Sequence, residues 1–414
     1  MFLYRRDQSR FVANCSDQIL NKLAGGVMST QNSSFAGFKV QSIEKTSTRN
    51  SGLDALRACI TLLVVFHHCA ITYGAIGGWY YHEIPPDKSF TSVVLVLFCS
   101  VNQAFFMGLF FLLAGHYTAR SIDKKGSTRF LADRLLRLGA PLLVYGLLLG
   151  PITIALAATR AGQPFFGTLI YLWRKGTFEN GPMWFAQALL LFSAATVAGR
   201  WILSGYNGSP RLQNLRNLVP SNSMLCIAAL LTGAAALALR SVWPVGVNVW
   251  GLQLGYFASY IVLYAAGYGT ARARWIEHLP ERQVRLWWRI ALIALPVLPI
   301  VYFAGKPFPA LRGFPLAVVY AFWEPLVAWG IILILLDGFQ RHFHRLDGLW
   351  SSLSRRAYTI YIIHPPVLVG VALMWKNIPA SPFLKFAVTG SVACFVCYLI
   401  AGLLLWVPAF RKVL

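Results

Sequence analysis

From Leu53 onward the chain alternates long apolar runs with short polar breaks. About 20 apolar residues, rising 1.5 Å each in a helix, cross the roughly 30 Å hydrocarbon core of a bilayer. Ten runs approach or exceed that length, near 53–74, 93–118, 139–158, 183–204, 223–243, 250–271, 288–304, 314–337, 357–375 and 384–408. The pattern predicts an all-α fold, a polytopic transmembrane helical bundle. The second run is long enough to tilt or to continue past the bilayer. The seventh is short and holds Pro296 and Pro299, which blur its ends.

Residues 1–52 are mixed polar and lack the continuous apolar stretch of a signal peptide. They are expected to form a disordered cytoplasmic segment ahead of a transmembrane domain over 53–414. Met28 opens MSTQNSSFAG, which reads as a plausible native start, leaving 1–27 either as an upstream extension or as part of a tail.

Composition agrees with the runs. The 414 residues are 57% hydrophobic and 12% charged, with a mean hydropathy of +0.57, too little charge for a soluble surface of this size. The net charge of +23 speaks for membrane topology and anionic lipid contact, not for nucleic acid. Sorted into alternate connections, Lys and Arg number 27 on one side and 8 on the other, with Arg57 and Lys385 inside runs. That asymmetry places both termini in the cytoplasm and supports an even number of helices. Of the seven cysteines, Cys394 and Cys397 form a CxxC within a run, where helix packing is the simpler reading than metal or redox chemistry.

The chemistry lies in polar residues that a bilayer disfavours. Arg57 and His68 are eleven residues apart in the first run, close to three full turns at about 100° per residue, so they share a face; His67 points about 80° away. The rise between Arg57 and His68 is about 16 Å, which puts a cation at the cytoplasmic mouth and a titratable ring well into the membrane. Asp54 caps the helix or pairs with Arg57. Arg134 and Arg137 are three residues apart in RFLADRLLRLGAP, share a helix face, and suit phosphate as well as simple topology. Glu324, in AFWEPLV of the eighth run, either orients His68 or pairs with an arginine. His364 precedes Pro365 and Pro366, which should kink or break the ninth helix and free carbonyls near a polar cavity. Trp184 opens the fourth helix, as part of an aromatic belt or as a sugar-stacking platform. His116, Asn102 and Gln103 read as interfacial and helix-packing residues.

LDALRACITLLVVFHH, FFLLAGHYTAR, DRLLRLGAP, PMWFAQALLL and AYTIYIIHPPVL occur in that order over about 53–375. Together they resemble the integral-membrane acyltransferase type 3 family, which includes stand-alone modifiers of periplasmic glucans and other envelope polysaccharides. Ala114 and His116 stand where the family usually has serine and tyrosine, so a serine-based role is not expected there. The resemblance implies transfer of an acyl group from cytoplasmic acyl-CoA to a hydroxyl of an extracytoplasmic glycan or glycolipid. It further implies a multi-pass protein of the bacterial inner membrane. The expected catalytic residues are His68, as base or acyl carrier, and Glu324. Arg57, Arg134 and Arg137 are the expected donor-binding residues; His364, Tyr361 and Trp184 are expected to line the acceptor site or cavity. No metal and no bound cofactor are expected, with acetyl-CoA or succinyl-CoA as co-substrate, membrane lipids as surroundings, and a homo-oligomer left open. The competing reading is a proton-coupled transporter or flippase for a lipid-linked or acidic solute, which buried Arg, His and Glu would also suit. The missing Gly/Pro-interrupted helix pair argues against it.

Overall fold

The computed structural model describes residues 50–203, 219–304 and 313–413; the N-terminal expectations for residues 1–49, including Met28, fall outside them. The described residues form helices, with no strand among them. Nine helices there are long and apolar enough to cross a membrane, in line with an all-α polytopic bundle.

The helices run α1 (Ser51–Thr72) and α2 (Phe90–Lys125), then α3 (Ser127–Ala161) and the short α4 (Phe165–Arg174). After α5 (Trp184–Ile202) come α6 (Asn222–Val242) and α7 (Phe257–Thr270). The apolar stretch Glu281–Phe303 is split into α8 (Glu281–Ala294) and α9 (Val297–Ala304) at Pro296, which has no amide hydrogen to continue the ladder. The chain ends with α10 (Phe314–His342), α11 (Gly348–Met374), α12 (Pro382–Leu404) and the short α13 (Pro408–Val413).

The expected span 250–271 is the one that differs. It forms a 3-10 turn, Leu254–Tyr256, and then the 14 residues of α7, about 21 Å of helix. Trp250 and Gly251 adopt positive φ (51° and 78°) and turn the chain before the helix can start. A short helix is tolerated where most of it packs in protein: Phe257, Tyr260, Leu263, Tyr264 and Gly267 are all buried, while Ile261 is exposed. α7 lies parallel to α2, with Gln103 Nε2 donating to Tyr260 Oη at 3.1 Å and Arg272, just past α7, donating to Asp123 near the end of α2 at 2.8 Å. A Cβ at Gly267 would sit 1.9 Å from the Leu112 carbonyl, and one at Gly115 would sit 2.1 Å from that of Tyr264. Two glycines therefore let the backbones touch, the usual device where lipid offers no hydrophobic drive.

Prolines shape two further helices. Within α3, π-helical turns at Leu135–Gly139 and Tyr145–Leu149 precede Pro141 and Pro151, which sit at the start of the next α-helical stretches. A regular ladder would pair the carbonyls of residues 137 and 147 with amides these prolines lack. Tyr358 Oη donates instead to the Arg137 carbonyl (2.8 Å), and Trp173 Nε1 to that of Leu147 (2.9 Å). α11 runs through Pro365 and Pro366 as one helix, so of the expected kink or break the break is absent.

Replacing Gly267 with Val should force α2 and α7 apart and cost about 1–3 kcal/mol, the usual penalty of overpacking. A lower melting temperature of the purified protein is the expected outcome; an unchanged one would mean the two backbones can separate freely.

Candidate active site

The end of the bundle opposite the arginine-rich side carries three parallel rings. The Trp79 indole lies over His68 at 4.0 Å between centroids and 11° between planes. His364 lies parallel to His68 at 5.3 Å and to Trp79 at 6.0 Å. His68 Nδ1, Trp79 Nε1 and His364 Nε2 are buried without a hydrogen-bond partner in the protein. Leaving one such atom unpaired costs about 1–3 kcal/mol, so three together are an unusual concentration of unmet polar atoms. His67 turns away and packs on Phe106, ring to ring at 4.9 Å. His68 lies four residues from the end of α1, about 6 Å of rise, so it is nearer that end of the helix than its middle.

Trp79 comes from the loop between α1 and α2, which is pinned at several points. The amide of Glu83 donates to the Thr72 carbonyl at 2.9 Å, and Ser92 Oγ to that of Gly74 at 2.6 Å. The Glu83 carboxylate pairs with Lys385 on α12, both side chains 5% exposed. Lys385 also donates to the Lys376 carbonyl at 3.2 Å. A buried carboxylate and ammonium tolerate the low dielectric only as such a pair. Next to Trp79, Tyr80 Oη donates to Glu179 Oε1 at 3.2 Å and lies 3.2 Å from Tyr145 Oη.

His364 is fully buried on α11, and its Nδ1 lies 2.7 Å from the Tyr361 carbonyl. That carbonyl is the one Pro365 would pair with if it had an amide hydrogen. Tyr361 itself gives its hydroxyl to the Pro182 carbonyl, in the turn before α5. It thus holds His364 by its backbone and α5 by its side chain. Trp184 stands apart from the three rings: it stacks on Tyr260 at 5.5 Å and lies 6.4 Å from Phe111, so it packs inside the bundle and not in a lipid-facing belt.

Glu324 does not support His68. The titratable groups that act on His68 are His364 and His67. Glu324 is paired with Arg240 of α6, with side chains 4% and 10% exposed. Arg240 also donates to the Gly255 carbonyl at 3.0 Å and lies over the rings of Tyr256 and Tyr320 at 5.3 and 4.8 Å. Of the two roles considered for Glu324, the arginine pair is the one present. The correction has a simple cause: Arg240 lies within α6 and not in a connecting loop, so it needs a buried counter-charge.

At the opposite, arginine-rich end, Arg57 is half exposed and 3.5 Å from Asp54. Arg134 donates to Thr118 at 3.4 Å, and Arg57 and Arg137 lie within its electrostatic reach. These guanidiniums make few contacts that would hold them from an incoming anion. A cavity of about 640 Å³ lies among α2, α5 and α7, with Arg200 and Arg272 both on Asp123 at its rim; Arg57, Arg134 and Arg137 do not line it. None of the three stacked rings lines it.

Sequence reasoning missed Glu277 and left His116 as an interfacial residue. Glu277 takes hydrogen bonds from Arg274 and from Arg120 (2.5 Å) and lies 3.5 Å from His116 Nε2. Burial pushes its carboxyl up, but these arginines outweigh burial and hold it below the ordinary carboxylate range. The clamp therefore stabilises the fold at neutral pH and is lost only as pH falls through that depressed value. Arg274 itself adopts φ 54°, a conformation that costs a non-glycine residue energy and is kept where surrounding contacts impose it. Trp79, Tyr80 and Glu179 were also missed. The signals were GGWYYHE and FENG, aromatic and acidic residues beside glycine at helix ends.

Changing Arg240 to Met should destabilise the fold by about 3–5 kcal/mol by stranding Glu324. Combining it with Glu324→Leu should restore most of the loss, as read by thermal melts. A double variant no more stable than the single would assign the pair more than mutual neutralisation.

Neither a curated protein nor a solved structure matches the chain. The family model of the type 3 acyltransferase domain matches residues 50–402, from one residue before α1 to within two of the end of α12. With that match over most of its length, the chain belongs to the type 3 acyltransferase family of integral membrane proteins.

Proposed function

We propose that this membrane acyltransferase takes an acetyl or succinyl group from cytoplasmic acyl-CoA and passes it to a hydroxyl of an extracytoplasmic glycan or glycolipid. The proposed setting is a bacterial inner membrane, with the arginine-rich end inside by the positive-inside rule. The single observation that carries this reading is the trio of buried, unpartnered nitrogens on His68, Trp79 and His364 at the end opposite the arginines. A donor with phosphates and an acceptor without them would then meet the protein from opposite sides.

On this reading Arg57, Arg134 and Arg137 receive the phosphates of CoA; Arg guanidiniums match phosphate oxygens in charge and geometry. The pantetheine arm carries the thioester along the interior towards His68. His68 then either takes the proton of the acceptor hydroxyl or accepts the acyl group itself. Trp79 holds one face of the imidazole and so fixes the plane in which its nitrogens point. On this reading Glu324 stays with Arg240 and serves the fold.

Purified protein in proteoliposomes, given radiolabelled acetyl-CoA or succinyl-CoA, tests the reading. His68→Ala should lower acyl transfer on the order of 10²–10⁴-fold, the usual worth of a positioned acid–base group, with melting behaviour retained. Arg134→Ala should raise KM for the donor about tenfold, with little change in kcat, as expected for loss of one charge-assisted hydrogen bond. Undiminished turnover in His68→Ala would sink the catalytic assignment; loss of an acyl mass from envelope glycans in cells lacking the protein would support the acceptor class.

A further inference from the structure

The geometry points to His364, not His68, as the group that takes the proton of the acceptor hydroxyl. This rests on the acyl-transfer reading above and divides the work between the two histidines.

The first step concerns the tautomer. A carbonyl oxygen can only accept, so the 2.7 Å contact between His364 Nδ1 and the Tyr361 carbonyl puts the ring hydrogen on Nδ1. In the neutral ring Nε2 is then a bare lone pair, and Nε2 is the atom left buried without a partner. A doubly protonated ring would bury an unpaired N–H on a cation, which is the costlier state. Pro365 is what makes the arrangement available: lacking an amide hydrogen, it leaves the Tyr361 carbonyl to the imidazole. Tyr361 is fixed in turn by its hydroxyl on Pro182. The ring is thus oriented on one nitrogen and presented on the other, as a general base requires.

The three stacked rings also complement the two reacting groups. Trp79 Nε1–H is a donor only, suited to an acyl carbonyl oxygen. His364 Nε2 is an acceptor, suited to a hydroxyl hydrogen. No such orienting bond is present on His68, whose Nδ1 is unpartnered.

In the step itself, the acceptor hydroxyl gives its proton to His364 Nε2 while its oxygen bonds to the acyl carbon. The bond from that carbon to its carrier breaks, whether the carrier is the sulfur of CoA or a nitrogen of His68. His364 then returns the proton to that leaving atom, so charge and atoms balance. His68, relieved of the acceptor proton, faces the acyl group.

Two acceptors separate base catalysis from structure. Methyl glucoside must lose a proton to react, whereas hydroxylamine attacks through a neutral nitrogen lone pair and needs no base. His364→Asn keeps a donor that can reach the Tyr361 carbonyl and deletes Nε2. In proteoliposomes with acetyl-CoA or succinyl-CoA, it should lower ester formation on methyl glucoside by about 10²-fold or more. Enzyme-dependent hydroxamate formation should stay within about threefold of wild type. Pro365→Ala leaves the ring intact but restores an amide that competes for the Tyr361 carbonyl; it should lower ester formation selectively as well. Equal loss on both acceptors in both variants, or undiminished ester formation in His364→Asn, would overturn the assignment. Failure of the wild-type protein to acylate either acceptor would instead overturn the acyl-CoA reading on which it rests.

Discussion

A hydrocarbon core offers no water to an unpaired carbonyl, so every backbone oxygen there needs a donor from within the protein. Prolines inside spans break that rule locally, and at three of them the fold answers with a side chain. Pro141 releases the carbonyl of Arg137, which Tyr358 fills from α11. Pro151 releases that of Leu147, which Trp173 fills from α4. Pro365 releases that of Tyr361, which His364 fills from its own helix. The first two contacts tie α3 to its neighbours. The third ties nothing together, because His364 already belongs to α11, and its effect falls on the orientation of one imidazole.

The treatment of charge follows the same economy. Arg240–Glu324 and Lys385–Glu83 are buried pairs, each neutral as a unit and each joining segments distant in sequence. Single removal of such a partner is costly, while the intact pair adds little net stability. They act as fasteners: one joins α6 to α10, the other presses the Trp79 loop onto α12. The arginines at the basic end differ. Arg57 is half exposed, and Arg134 has a long bond to Thr118 and lies over the Phe130 ring at 5.2 Å, with no carboxylate on it among the described residues. On the proposed donor role, cations that are to receive phosphates cannot be fully neutralised beforehand.

Much of this was legible in the chain. Apolar run lengths and the skewed Lys and Arg distribution gave the helical bundle, because both follow directly from the thickness and potential of a membrane. The spacing of Arg57, His67 and His68 follows from helix geometry alone, and the proline pair signalled freed carbonyls beside His364. What stayed hidden was tertiary. Glu324's ionic partner lies outside its own helix; Arg240 is 84 residues away. Trp79 is in a loop, where no periodicity assigns a direction, and tertiary fastenings such as Glu83–Lys385 hold the loop that lays its ring on His68. α7 was read as a full span because its flanking residues are apolar. The positive φ of Trp250 and Gly251 that shortens it is not visible in hydropathy.

The two histidines therefore differ in what supports them. His364 is set by its own helix, through a proline one residue away, and would keep its orientation wherever the loops moved. His68 takes its environment from a loop residue, Trp79, held by an ion pair to another helix. On the proposed acyl transfer, the ring anchored in the helix would supply the constant geometry that proton transfer demands, and selection of the acceptor would fall to the loop residues Trp79, Tyr80 and Glu179 beside it.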